Sequence, residues 1–240
     1  MKLIAFVGHK YYNLWIIEDN EMGALFNLDN PVWNFMGKVA DLVILNVLAV
    51  LCSIPIFTIG ASWTAMYFVT IRMVRKEESY VVKDFFRSFK ENFKQATVIW
   101  LLVLLVAVVF AGDVWIYNVM PEQIPQIIMI AVAVLGFLAL GTVVYVFPLL
   151  SRFDNTTKNT IKNAFLLSIV NIPYTIIIII LLVIPIILTI FVLELFPIII
   201  MVGVSFPAFL VSLILVHIFR KLEPEKVIEG NEDDTEETEL

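Results

Sequence analysis

Long apolar stretches separated by short polar connections make up most of the chain. Hydrophobic windows predict six candidate membrane spans, at about 39–53, 56–74, 96–119, 125–150, 164–190 and 196–219. A helix rises about 1.5 Å per residue, so roughly 20 apolar residues cross the hydrocarbon layer of a bilayer. The last four stretches are long enough for a full crossing. The pattern therefore predicts an all-α polytopic membrane bundle with about six transmembrane helices.

The first two stretches are shorter and nearly touch. Pro55 ends or kinks the first stretch, and the second begins with a run of small and hydroxyl residues that includes Thr58 and Gly60. The pair forms either two short spans or one re-entrant hairpin. Both arrangements return the chain to the side of the membrane from which it came.

The distribution of cations supports an even number of crossings. All 16 Lys and Arg residues lie before the first stretch, between the second and third, between the fourth and fifth, or after the sixth. The intervening connections contain none. By the positive-inside rule, both termini are expected to be cytoplasmic.

Composition excludes most soluble functions. The chain is 60% apolar and 16% charged, whereas soluble domains are about 45–50% apolar and about 25% charged. A single cysteine and two histidines provide no metal-binding spacing and no nucleophile–base pair, and no phosphate-binding loop is present. We expect no enzymatic activity, no cofactor and no nucleic-acid partner.

The net charge of −6 belongs to one end of the chain. Nine of the 22 acidic residues lie within residues 223–239, so we expect a disordered acidic tail over 222–240. The membrane domain is predicted at 22–221. Residues 1–21 form either a short cytoplasmic arm or a segment upstream of a native start at Met22, because Glu18 and Asp19 can be encoded by a purine-rich ribosome-binding sequence.

The connection before the third stretch predicts an amphipathic helix. Residues 81–94 read VVKDFFRSFKENFK, in which apolar and cationic side chains recur at helical spacing. The residues concerned are Val82, Phe86, Phe89 and Phe93 on the apolar stripe, and Lys83, Arg87, Lys90 and Lys94 one position later. Such a helix either lies in the membrane interface against anionic headgroups or docks a partner.

Several polar or helix-breaking residues lie within the predicted spans. Asn46 and Asn171 need interhelical hydrogen bonds, and Pro55, Thr58 and Gly60 interrupt the first pair of stretches. These positions either hold helices together or line a solute pathway beside broken helices, as in transporters.

Residues 22–96 resemble the opening of the YesL-like family of bacterial integral membrane proteins, a domain of unknown function. The residues that support this resemblance are Asn46, Pro55, Thr58-Ile59-Gly60, Met73-Val74-Arg75 and Phe85-Phe86-x-x-Phe89. A second block comprises Tyr145-x-Phe147-Pro148-Leu149, Arg152-Phe153 and Lys162-Asn163-Ala164. The resemblance extends over nearly all of 22–221.

The resemblance implies a location and a neighbourhood, with no established catalytic residue. Such proteins lie in the bacterial cytoplasmic membrane and are often encoded beside sugar ABC importers and polysaccharide-degrading enzymes. It therefore implies a non-enzymatic accessory or regulator of carbohydrate uptake, with an ABC importer or its regulatory proteins as partner. The alternative hypothesis is a small-solute transporter or channel.

Overall fold

The structure is a computed structural model that describes residues 31–78, 80–119, 125–191 and 201–222. Every regular element in these ranges is helical, which confirms the all-helical prediction for this part of the chain. In chain order the helices are α1 (Pro31–Cys52), α2 (Ile59–Val74), α3 (Val81–Val119), α4 (Gln126–Arg152), α5 (Thr157–Val170), α6 (Ile172–Phe191) and α7 (Ser205–Arg220). The predicted arm at 1–21 and residues 223–240 of the predicted tail lie outside the described residues.

Helix α2 forms the centre of the bundle. Ten of its sixteen residues are buried, and it contacts α1, α3, α4 and α7. Most of the buried positions are small or hydroxyl residues, which allow neighbouring helix backbones to approach closely. The small-residue stretch of the sequence is therefore the core of the molecule.

The ends of three helices meet in a charged cluster. Glu77, just after α2, lies 3.4 Å from the Arg72 guanidinium at the end of α2 and 3.8 Å from that of Arg152 at the end of α4. The rings of Phe153 and Phe219 pack edge to face with centroids 5.5 Å apart, which brings the end of α7 to the same place. We call this end of the bundle the cation end.

The other cation-bearing segments also lie at the cation end. Gln95 in α3 donates a hydrogen bond to the backbone carbonyl of Asn155, which precedes α5. Asp41 in α1 lines the same cleft as Lys83 and Lys90 of α3. The segments that the charge pattern assigned to one side of the membrane thus meet at one end of the described structure.

Helix α3 corrects the prediction of a separate interfacial helix. Residues 81–94 and the third predicted span form one continuous helix of 39 residues, about 59 Å long and roughly twice the thickness of the hydrocarbon layer. No proline or glycine interrupts the junction at residues 94–96, so the helical hydrogen bonds continue through it. The amphipathic segment extends the span instead of lying apart from it.

Helix length and composition identify fewer spans than the hydropathy of the sequence. Within the described residues, α1, α3 and α4 are long and apolar enough to cross a bilayer, and α5 with α6 passes the same test only as a bent pair. Helices α2 and α7 have sixteen residues each, about 24 Å. The predicted second span is shortened because residues 56–58 form a 3₁₀ turn. The first residues of the predicted sixth span, 196–200, lie outside the described residues.

The predicted fifth span is broken. Helices α5 and α6 meet at Asn171 with an angle of 102° between them, within the stretch predicted as the fifth span. Pro173 has no N–H and its ring crowds the preceding turn, which favours a break here, whereas α4 and α6 continue through Pro148 and Pro185. The stretch predicted as the fifth span, 164–190, is therefore divided between two helices.

Candidate functional site

Asn46 joins α1 to α7, the first and the last helix in the described part of the chain. Its Oδ1 accepts hydrogen bonds from the backbone N–H groups of Val204 and Ser205, at 2.9 and 3.0 Å. These amides begin α7 and have no carbonyl partner within their own helix. The Ser205 hydroxyl in turn donates to the Leu42 carbonyl of α1 at 2.7 Å. Asn46 is thus a helix cap supplied by a distant helix.

Three further hydroxyls extend this polar contact along α2. The Ser62 hydroxyl donates to the Ala49 carbonyl of α1 at 2.8 Å, and the hydroxyl oxygens of Thr70 and Ser212 lie 2.7 Å apart between α2 and α7. All of these side chains are buried. We call the set that joins α1, α2 and α7 the polar seam; it consists of Asn46, Ser62, Thr70, Ser205 and Ser212.

The turn between α1 and α2 has its free carbonyls occupied. The Thr58 hydroxyl lies 2.6 Å from the Cys52 carbonyl and 2.7 Å from that of Pro55, and the Trp100 indole N–H donates to the Ile56 carbonyl at 2.7 Å. Cys52 ends α1, so Thr58 satisfies a carbonyl that the helix leaves open. The hydrogen bonds to the Cys52, Pro55 and Ile56 carbonyls therefore stabilise the turn.

Gly60 permits the closest approach of two helices in the core. A Cβ atom at this position would lie 2.6 Å from the Ala96 carbonyl oxygen and 2.7 Å from the Trp100 Cβ, both on α3. Next to it, the rings of Trp63, Trp100 and Phe147 pack with centroids 6.0 to 6.2 Å apart. Glycine is therefore the residue that this α2–α3 contact requires.

Asn171 lies at the α5–α6 bend, away from the polar seam. Its side-chain amide donates to the Leu167 carbonyl at 3.2 Å. The buried Thr175 hydroxyl lies 3.0 Å from the Asn171 carbonyl, 3.1 Å from that of Ser168 and 3.2 Å from the Tyr145 hydroxyl. Thr175 thus connects both sides of the break to α4.

The cation end contains an ion-pair network that sequence reasoning missed. Asp84, buried in the first turn of α3, lies 3.3 Å from Arg72 and accepts a hydrogen bond from the Tyr80 backbone N–H at 3.1 Å. Arg72 also donates to the Glu78 carbonyl and lies over the Phe68 ring. The signal was available, because an acidic residue in the first turn of a helix that follows a cation cluster favours such pairing.

The apolar stripe of residues 81–94 divides between the core and the surface. Phe85 is fully buried, and Phe89 and Phe93 pack against the core, with each ring in contact with the next. Phe86 is 40% exposed and Val82 is also exposed. The stripe therefore packs largely within the chain, chiefly against α2.

The exposed remainder of this segment forms one wall of a cleft. The cleft lies between α1 and α3 and has a volume of about 710 Å³. Its lining combines the apolar side chains of Ile44 and Phe86 with the charged side chains of Asp41, Lys83, Arg87 and Lys90. Lys94 is exposed further along α3, and Arg87 pairs with Glu91 at 3.1 Å.

The sequence-predicted polar residues thus occupy separate places. Asn46 belongs to the polar seam, Thr58 and Pro55 belong to the α1–α2 turn, Gly60 lies at the α2–α3 contact, and Asn171 lies at the bend. The structure does not bring them together around one site. Among the described residues, no three His, Cys, Asp or Glu side chains come close enough to hold a metal ion.

The comparisons with known proteins find similarity to a family of unknown function and to an uncharacterized relative. Residues 42–114 match the profile of a family described as "Protein of unknown function, DUF624". This segment runs from α1 through α2 into most of α3, and so includes Asn46, Gly60 and the amphipathic segment. The chain is similar to this family over that segment.

One curated relative is similar over a longer stretch. "Uncharacterized protein YteU" from Bacillus subtilis (strain 168) is 27% identical over 128 residues, which cover 52% of this chain and 57% of that protein. The matched stretch thus spans little more than half of the relative's length. No solved structure matches the chain.

Proposed function

We propose that this protein belongs to the YesL-like family, crosses the bacterial cytoplasmic membrane six times with the cation end in the cytoplasm, and acts as a non-enzymatic accessory or regulator of carbohydrate uptake. The long apolar helices and the similarity to a family of unknown function support the membrane assignment. The finer statements on topology, partner and process are our proposal.

The path of the chain supports six crossings. Helix α1 leads away from the cation end and α2 returns to it; α3 and α4 repeat this, as do α6 and α7. Helices α2 and α7 are short, but both pack in the interior, where neighbouring helices surround them and the polar seam satisfies their polar groups. The positive-inside rule then places the cation end in the cytoplasm.

The observation that best supports an accessory function is the length of α3. At about 59 Å, this helix extends well beyond a hydrocarbon layer of about 30 Å. Its first four turns present exposed Lys83, Phe86, Arg87 and Lys90 at the cation end. An aromatic side chain among cations on a rigid helix is a typical surface for a partner with acidic and apolar groups.

The link to carbohydrate uptake rests on the resemblance described above. An importer permease or its regulatory protein would reach the exposed face of α3 from the cytoplasmic side. No catalytic group is required for this function, because the helix supplies a binding surface and its position in the membrane supplies proximity.

Site-specific photocrosslinking in native membranes tests this proposal. A photoreactive amino acid at Phe86 is expected to crosslink an ABC importer subunit or its regulator, whereas the same group at Val108, on the exposed apolar part of α3, is expected to crosslink lipid. A strain that lacks this protein is expected to take up the sugar carried by that importer more slowly. No importer or regulator crosslink at Phe86, together with unchanged uptake, would contradict the proposal.

The bend at Asn171 favours the alternative of a small-solute transporter or channel. Broken helices often form the solute sites of transporters, and α5 and α6 form such a bent pair, in which the Leu167, Ser168 and Asn171 carbonyls accept hydrogen bonds within the bend. Flux into proteoliposomes that is lost in Asn171→Leu and retained in Asn163→Leu, at an exposed position of α5, would support this alternative. Equal flux in both variants would exclude a pathway at the bend.

A further inference from the structure

A second cleft is lined by α3, α4 and α5, none of which contributes a residue to the polar seam. It has a volume of about 530 Å³, which is within the usual range of about 300–1,000 Å³ for small-molecule sites. Its walls are apolar along α3 and α4. The side chains that matter here are Leu102, Val106, Ala139 and Val143 on the walls, with Lys158 and Lys162 at one end.

The two lysines give this cleft a positive end. Lys158 and Lys162 are one turn apart on α5, so both ammonium groups lie on the same face of the helix. Both are exposed, and within the described residues neither forms an ion pair. Lys158 also lies in the first turn of α5, where the helix dipole favours an anion.

No acidic side chain lines this cleft among the described residues. In that respect it differs from the α1–α3 cleft, where the Asp41 carboxylate would repel an anion. The lining of the α3–α4–α5 cleft is therefore almost wholly apolar, and its only charged residues among the described ones, Lys158 and Lys162, are exposed cations. Its occupant must have a long apolar part and an anionic head.

The orientation of α5 indicates where that head lies. Helix α5 turns by 102° from α6. Helix α5 also runs back along α4 from the cation end as far as Gly141, which lies against Ser168, so Lys158 and Lys162 in its first half are nearest the cation end while the cleft walls on α3 and α4 continue toward the hydrocarbon. Gln95 of α3 contacts Asn155 and the Thr160 hydroxyl, which fixes the start of α5 against α3.

We propose that the α3–α4–α5 cleft binds one anionic phospholipid of the surrounding bilayer, with an acyl chain between α3 and α4 and the phosphate between Lys158 and Lys162. This site goes beyond the proposed function and depends only on its membrane placement. The lipid would fill the space that the side chains of α3, α4 and α5 leave open.

Native mass spectrometry of the delipidated full chain in detergent tests the site. The probes are phosphatidylglycerol and phosphatidylcholine with identical acyl chains, titrated separately. We expect one phosphatidylglycerol to bind before any other lipid and at least tenfold more tightly than phosphatidylcholine. Each lysine near an anionic group is worth about a factor of five, so the double variant Lys158→Gln with Lys162→Gln is expected to lose roughly tenfold to thirtyfold in affinity.

Two further variants separate charge from shape. The control Lys83→Gln with Lys90→Gln removes the same charge from the α1–α3 cleft and is expected to leave the first binding step unchanged. Ala139→Phe fills the apolar part of the cleft without a change of charge and is expected to weaken phosphatidylglycerol binding by a similar factor to the lysine variant. Ala139 is outside the buried core, so a thermal unfolding midpoint near that of the wild type is expected for this variant.

The outcomes are distinct. Equal losses in the two double-lysine variants, or no preference for phosphatidylglycerol, would overturn the site. Displacement of the lipid by inorganic phosphate at millimolar concentration, or unchanged binding in Ala139→Phe, would also overturn it, because the apolar part of the cleft would then contribute nothing. A loss of importer crosslinking at Phe86 would leave this result unaffected, so failure of the proposed function is distinguishable.

Discussion

The polar seam and the part of α3 after Ile99, here called the outer part of α3, differ in composition and in burial. The first is polar and buried, and the second is mostly apolar and is not buried. Helix α2, with its small and hydroxyl residues, has ten buried residues of sixteen, whereas no residue of α3 after Ile99 is buried. In α4, likewise, no residue before Gly141 is buried. A water-soluble protein would bury the long apolar stretches and expose the hydroxyls.

This inversion is what a bilayer produces. Lipid tails are as apolar as leucine, so the hydrophobic effect gives apolar helices no reason to pack against one another. Close backbone contact and hydrogen bonds between small polar residues then decide which helices associate. The polar seam and the Gly60 contact hold the bundle together, and the outer parts of α3 and α4 supply the surface that faces lipid.

Gly60→Ala tests the packed region most severely. The added methyl group would overlap the Ala96 carbonyl and the Trp100 side chain, and overpacking of this kind typically costs about 1–3 kcal/mol. We expect a loss of that size in the free energy of unfolding in mixed micelles. Gly112→Ala, which has no neighbour within 4 Å of the new Cβ, is the control and should cause no loss. Equal stabilities would contradict the close α2–α3 approach.

Asn46→Leu removes the acceptor that caps α7. The backbone N–H groups of Val204 and of buried Ser205 would lose their partner, so we expect a cost of about 1–2 kcal/mol in the same unfolding measurement. Asn118→Leu is the matched control, since Asn118 is exposed and bonds only within its own helix, to the Val114 carbonyl. An Asn46 variant as stable as the Asn118 variant would show that the polar seam does not join α1 to α7.

Glu77→Gln tests the cation end. It removes the charge that lies between Arg72 and Arg152, and because these groups are partly exposed we expect only about 0.5–1 kcal/mol, reduced in high salt. Glu91→Gln removes one half of an exposed pair with Arg87 and should cost less. A salt-independent loss at Glu77 would indicate a role other than ion pairing.

The contact between Thr70 and Ser212 should give the smallest effect. A double-mutant cycle with Thr70→Val and Ser212→Ala is expected to show a coupling of about 0.6 kcal/mol, the average for hydrogen bonds between membrane helices. Both hydroxyls also lie near carbonyls of their own helices, so each single variant loses little. Zero coupling would remove this contact from the polar seam.

The sequence predicts the apolar helices well where a single helix crosses without interruption. The span predicted at 125–150 corresponds to α4, Gln126–Arg152, because a long apolar run begins after a proline and ends at a cation. The predicted start at 39 is eight residues inside α1, since its amphipathic first turns have no hydropathy signal.

The sequence alone does not predict which distant residues contact one another. The partners of Asn46 lie 158 and 159 residues away, so the sequence shows that its amide needs a partner and gives no way to choose one. The hydrogen bond between Thr175 and Tyr145 joins residues 30 positions apart, and the complete burial of Phe85 likewise has no signal in its local sequence. The local hydrophobic pattern predicts where the helices lie. Which face of a helix is buried depends on the helices that pack against it.

The central claim is that the exposed apolar parts of α3 and α4 face lipid. Its most direct test is the accessibility of spin labels on these helices in protein reconstituted into a bilayer. In a Cys52→Ser background, a label at Val108, which is 69% exposed, or at Ile130, which is 64% exposed, should collide more often with oxygen than with a water-soluble nickel complex. A label at Lys90 should show the reverse. Higher accessibility to nickel than to oxygen at Val108 and Ile130 would contradict the assignment of this surface to lipid.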